Sequence, residues 1–172
     1  IAGTGLAEYY YSASTSDTSQ ITLAPSNTSI YYEKLACVRA SHNVSGYCLG
    51  FSPVTSGNYS TCYVMKDFGY MGGGGCGTVS AAVSHTLRLV ASGTSTVTLT
   101  IFLDGVQQGT LTDSSSPHTV AGSGFALQGD GTAADSAVTE WQDYANPAPS
   151  NIAIKSRHLE PIRTTLLPRD LQ

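Results

Sequence analysis

Charge is scarce in this chain. Only 12% of its residues are Asp, Glu, Lys or Arg, and residues 1–150 hold just four cations, Lys34, Arg39, Lys66 and Arg88. That is too few to build the basic face that neutralises nucleic-acid phosphates, so no nucleic-acid partner is expected. Long apolar runs are missing too. No stretch approaches the roughly 20 residues of a membrane-spanning helix, so no membrane insertion is expected. No basic region followed by an apolar run opens the sequence, so any secretory leader is expected to have been removed. The four cysteines lack the two-to-four-residue gaps of zinc and redox motifs. No Gly-x-Ser-x-Gly or His-Glu-x-x-His occurs, and His42, His85, His118 and His158 are scattered. Each histidine is read as a surface or hydrogen-bonding residue rather than a catalyst.

Hydroxyls are abundant instead. The chain has 22 serines and 20 threonines, the composition of a neutral, soluble surface over a core that 172 residues are long enough to bury. Its charge is unevenly spread. Residues 1–150 carry ten acids against those four cations, whereas residues 151–172 carry Lys155, Arg157, Arg163 and Arg169 against Glu160 and Asp170. A basic tail on an acidic body marks an interaction segment.

Cys37, Cys48, Cys62 and Cys76 are spaced 11, 14 and 14 residues apart, which favours disulfides. Local pairing of Cys37 with Cys48 and Cys62 with Cys76 puts each pair across a hairpin, while pairing of Cys48 with Cys62 is almost as symmetrical. Each closed loop stabilises the fold by about 3 kcal/mol in the chain-entropy model. Either pairing places the chain in an oxidising, extracellular or cell-surface setting. Sequons at Asn27, Asn43 and Asn58 fit that setting as candidate glycosylation sites.

The periodicity is that of strands almost throughout. In Thr96–Leu103 the odd positions are apolar and most even ones are threonine, so one face is buried and the other wet. Asp104-Gly105 comes next, a type I′ hairpin signal, and the chain resumes as Val106–Leu111. His85–Val90 alternates before it, joined by a turn at residues 91–94. Tyr32–Ala40, Gly46–Phe51, Tyr59–Lys66, Gly124–Leu127 and Ala137–Tyr144 read as further strands, and Trp141 is read as core. No opening strand is legible in residues 1–7. Met71–Gly77 is read as a flexible loop pinned by Cys76. Short strands at such intervals, without an amphipathic helix, predict an all-β antiparallel sandwich of jelly-roll type.

From Asn146 the chain changes character. Asn-Pro-Ala-Pro-Ser-Asn reads as a stiff linker, and Pro147, Pro149, Pro161 and Pro168 restrict residues 146–172 to edge pairing or extended docking. Residues 1–145 are therefore expected to form the body and 146–172 an extended basic arm. Ile152, Ile154, Lys155, Arg157, Leu159 and Ile162 supply the arm's alternating contacts.

The runs Val97–Val106, Gly122–Gly129 and Ala137–Tyr144 together resemble the second half of a concanavalin A-like or laminin-G-like domain. The resemblance covers about residues 30–144 and implies a sandwich that serves lectins, adhesive modules, hydrolases and structural modules alike. Its hydrolytic members carry a Glu-x-Asp-x-x-Glu strand motif that sets two carboxylates on one face. Glu8, Glu33, Glu140 and Glu160 do not form it, and Glu140 with Asp143, three apart, point to opposite faces of a strand. The resemblance also implies a possible calcium ion, for which Asp130 and Asp135 are the candidate ligands, and sugar stacking, for which Tyr9-Tyr10-Tyr11, Tyr31-Tyr32, Tyr59 and Tyr70 are candidates. No cofactor is required by either reading. The sequence favours a non-catalytic structural subunit whose arm docks on a neighbouring copy to build a filament or homo-oligomer. The alternative is a glycan-binding or adhesion module.

Overall fold

The computed structural model describes residues 6–12, 17–23, 25, 33–40, 45–52, 54–129 and 138–143. Among them every regular element is a strand: β1 Leu6–Ser12, β2 Thr18–Leu23, β3 Glu33–Val38, β4 Tyr47–Phe51, β5 Val54–Thr55, β6 Asn58–Tyr59, β7 Cys62–Lys66, β8 Gly69–Gly73, β9 Val79–Ser80, β10 His85–Ser92, β11 Val97–Leu103, β12 Val106–Asp113, β13 Ser123–Gly129 and β14 Val138–Asp143. They form a six-stranded sheet ordered β1-β13-β3-β4-β7-β8, a five-stranded sheet ordered β12-β11-β10-β2-β14, and a small sheet β5-β6-β9. All pairings are antiparallel.

Alternation decides which sheet faces meet. Val97, Leu99, Ile101 and Leu103 are buried while Thr98, Thr100 and Phe102 are half-buried, because successive side chains leave a strand on opposite sides. Leu87, Leu89 and Ala91 of β10 and Ile21 and Leu23 of β2 continue the apolar face across the five-stranded sheet, and it packs on Ala36, Val38, Leu49, Phe51, Val64 and Phe125 of the six-stranded one. The result is an antiparallel β-sandwich. Each fully buried aliphatic side chain in that layer contributes about 1.5–3 kcal/mol.

The Asp104-Gly105 turn has φ of 50° and 79°, the two positive values a type I′ hairpin needs, which glycine adopts without cost. The structure corrects four expectations. Leu6–Ser12 supplies the opening strand that residues 1–7 did not show, pairing with β13 from Leu6↔Gly129 to Ser12↔Ser123. The predicted strand Tyr59–Lys66 is broken at Ser60-Thr61, whose amides both donate to Ser52 Oγ (3.1 and 3.2 Å), so Tyr59 belongs to the small sheet and Cys62 starts a new strand. Val54–Thr55, between the expected strands Gly46–Phe51 and Tyr59–Lys66, forms a short strand of its own that pairs with Asn58–Tyr59. Residues 71–73 of the expected loop Met71–Gly77 belong instead to strand β8, Gly69–Gly73, paired with β7.

The remainder of that stretch is held against another backbone. A Cβ at Gly109 of β12 would lie 3.3 Å from Gly74 O, and one at Gly75 would lie 3.1 Å from Gln108 O. The missing side chains let the segment after β8 press onto β12 and close that side of the sandwich.

Candidate functional site

Titratable side chains gather at one end of the sandwich, where the segment after β12 crosses the ends of β4 and β7. Tyr47 is fully buried, and its hydroxyl donates to Asp113 Oδ2 (2.7 Å) while accepting the His118 amide (3.0 Å). Lys66 Nζ lies 2.7 Å from the same Asp113 oxygen and donates to Ser115 O and Ser116 O (2.6 and 3.0 Å). Asp113 Oδ1 accepts the Ser115 amide. Around the rim, Asp67 receives the Gly46 amide and His118 Nε2 (2.8 Å). Arg39 holds Asp17 through Nε and Nη2 (3.1 and 2.9 Å) and donates from Nη1 to His118 O (3.0 Å).

The electrostatics of these groups strengthen their hold on the segment after β12. Burial, aided by the Asp113 acceptor, pushes the Tyr47 hydroxyl well above the usual tyrosine value, so it stays a donor. Burial also pushes Asp113 upward, but hydrogen bonds from Lys66, the Tyr47 hydroxyl and the Ser115 amide outweigh it and hold the carboxyl below its usual value. The cluster is an ionised carboxylate clamped between a cation and a phenol.

A second pair resembles part of a hydrolytic triad only in composition. His85 Nδ1 lies 2.7 Å from Asp104 Oδ2, but its Nε2 faces the Ser80 carbonyl oxygen at 2.9 Å, and Ser80 Oγ accepts the Ala82 amide. Among the described residues no hydroxyl is hydrogen-bonded to this histidine. The pair ties the Asp104-Gly105 hairpin to the small sheet.

On the side of the six-stranded sheet away from the core, cross-strand neighbours run Leu35–Gly50–Tyr63 and Cys37–Cys48–Met65. They form a second apolar cluster with Ala40, against which Phe68 packs. Leu35 and Cys37 are fully buried, and Tyr63 is only 9% exposed, so the middle of this face is not an open platform. Tyr70, on the neighbouring edge strand, is 73% exposed.

Cys37 is bonded to Cys48 directly across β3 and β4, and Cys62 to Cys76. Asn58 lies in the β5–β6 hairpin with its side-chain amide on Ser56 O (3.2 Å). Glu140 sits opposite Thr22 and Asp143 opposite Ser19 in the register of β14 with β2. Asn27, Asn43, Asp130, Asp135 and the arm residues Ile152, Ile154, Lys155, Arg157, Leu159 and Ile162 lie outside the described residues, as do His42 and His158. Among the described residues no group of three or more His, Cys, Asp or Glu side chains is placed to hold a metal ion. The Tyr47–Lys66–Asp113 cluster is not legible in the sequence because no local motif joins residues so far apart in the chain.

No protein-family model matches the chain, and no curated protein matches it. Among solved structures it is similar to SCP-B, a member of the eqolisin family of peptidases in a complex with the tripeptide Ala-Ile-His, with a TM-score of 0.49 and 11% identity over 87% of this chain and 83% of that one.

Proposed function

We propose that this chain is a non-catalytic extracellular structural subunit whose C-terminal segment docks on a neighbouring copy and builds a filament or other homo-oligomer. Support comes first from where the segment starts. β14, the last described strand, is an edge strand of the five-stranded sheet among the described residues, and a segment that follows an edge and pairs with another copy propagates as a heterologous, non-closing contact. The two disulfides suit an oxidising compartment. The carboxylates and histidines of the two clusters above are engaged in holding loops, which suits a scaffold rather than an enzyme.

Electron microscopy and sizing chromatography of the full chain beside Ile152→Asp/Ile154→Asp test it. Assemblies in the parent chain that disappear in the variant, with unchanged circular dichroism, are the expected result. A parent chain that stays monomeric at every concentration overturns it.

A glycan-binding or adhesion module is favoured by one observation, the exposed Tyr70 ring, which can stack on a sugar. Glycan arrays with and without calcium, comparing the parent chain with Tyr70→Ala, decide that reading.

A further inference from the structure

Among the described residues the two large sheets have four edge strands, β1, β8, β12 and β14, and they are not equivalent. A bulge bends and twists a strand and is a common way to blunt an edge against pairing. The ladder of β8 with β7 shifts register between Val64 and Met65, that of β12 with β11 between Ile101 and Phe102, and that of β14 with β2 between Val138 and Glu140. β8 and β12 are further shielded because the glycine segment following β8 presses on β12. Only β1 runs its full seven residues against its neighbour in unbroken register. Its sequence, Leu-Ala-Glu-Tyr-Tyr-Tyr-Ser, has no lysine, arginine or proline to discourage a further strand, and tyrosine favours one. Among the described residues no strand pairs with its outer edge.

We infer that β1 is the receiving strand of the assembly, and that its occupant is residues 151–160 of a second copy added as an extra strand by main-chain hydrogen bonding. The inference builds on the assembly reading above and falls with it. Three properties of the occupant match. Between Pro149 and Pro161 the chain is free of proline, long enough to pair along all of β1. Ile152 and Ile154, two apart, would share one face of an added strand while Lys155 and Arg157 share the other. Lys155 and Arg157 complement Glu8, the sole charge on β1. The Asn146-Pro147-Ala148-Pro149 sequence has the composition of a semi-rigid spacer, the kind of linker that suits an exchange between copies.

Hydrogen exchange of the full chain at low and high concentration, together with the variants Glu8→Lys and Glu8→Lys/Lys155→Glu/Arg157→Glu, tests the assignment. Expected are β1 amides whose protection rises with concentration, a several-fold rise in the concentration at which Glu8→Lys assembles, and recovery in the triple variant, with circular dichroism confirming that each variant folds. If Ile152→Asp/Ile154→Asp abolishes assembly while Glu8→Lys and β1 exchange are unaffected, β1 is not the receiver and the assembly reading survives. If β1 amides are equally protected at all concentrations, the chain's own residues hold that edge and the second-copy occupant is overturned. A parent chain that never assembles removes both proposals together.

Discussion

Tyr47 and Asp113, 66 residues apart in the chain, meet through a 2.7 Å hydrogen bond, and the segment that follows Asp113 is held to the six-stranded sheet through that contact. The tyrosine hydroxyl works in both directions, because it also accepts the His118 amide. Tyr47→Phe keeps the ring in the core but strips a buried carboxylate of one donor and an amide of its acceptor. A loss of about 1–3 kcal/mol is expected from such unpaired groups. Urea denaturation checks it, and a midpoint equal to that of the parent chain would show that the contact contributes nothing.

Acid should loosen the same cluster. Asp113 has a folded-state carboxyl held below its usual value by Lys66, Tyr47 and Ser115 against the upward push of burial, and Asp104 is held below its usual value by the Thr86 amide and His85, again against burial. Groups depressed in the folded state bind protons more readily when unfolded, so their stabilisation is complete above the unfolded value of about 3.9 and is lost as pH falls through the lower folded value. Melting temperature should therefore decline below about pH 4. Asp113→Asn, although less stable at neutral pH, should show a shallower decline; parallel curves for the two proteins would assign the acid sensitivity to other groups.

Where alternation is clean, the sequence is sufficient. Val97–Leu103 with its Asp104-Gly105 turn is legible because apolar and hydroxyl side chains alternate without a break. β2 obeys the same period, with Ser19, Ile21 and Leu23 buried, yet it is unreadable in the sequence because a serine occupies a core position. Ser19 is tolerated there by donating to Gly124 O across the two sheets (2.7 Å), a contact that exists only once both sheets have formed. β8 is hidden for the opposite reason. Gly69–Gly73 has little intrinsic strand preference and is extended by pairing with β7. The polar cluster at the sandwich end is likewise a product of topology, since β4, β7 and the segment after β12 are brought together by strand order alone.

The glycine seam offers a test of how the Cys62–Cys76 bond shapes its surroundings. A Cβ at Gly74 would lie 2.5 Å from Cys62 Sγ, and a sulfur fixed in a disulfide cannot swing aside. Gly74→Ala should cost about 1–3 kcal/mol as an overpacking substitution. Reduction opens both disulfides and should lower the stability of both proteins, by about 3 kcal/mol for each loop, and should shrink the difference between them because the freed Cys62 thiol can rotate. Denaturation with and without reductant measures this. A difference that is the same under both conditions would mean that something other than the sulfur resists the methyl group.

Asp104 has two separable duties. Its backbone adopts the positive φ of the turn, and its carboxylate accepts the Thr86 amide at 2.8 Å while facing His85 at 2.7 Å. Asparagine tolerates the backbone conformation as well as aspartate does and can still accept the amide, but it carries no charge for His85; alanine provides neither the conformational tolerance nor the acceptor. Asp104→Asn should therefore cost a few tenths of a kcal/mol to about 1 kcal/mol, the scale of an exposed charged pair. Asp104→Ala should cost about 1–2 kcal/mol more, as a lost capping contact combined with a strained turn. Thermal denaturation of the two variants beside His85→Ala ranks the contributions. If Asp104→Asn and Asp104→Ala are equally destabilised, the histidine contact rather than the turn dominates. If His85→Ala alone is silent, the carboxylate serves the hairpin backbone and the small sheet is held by its own strand pairing.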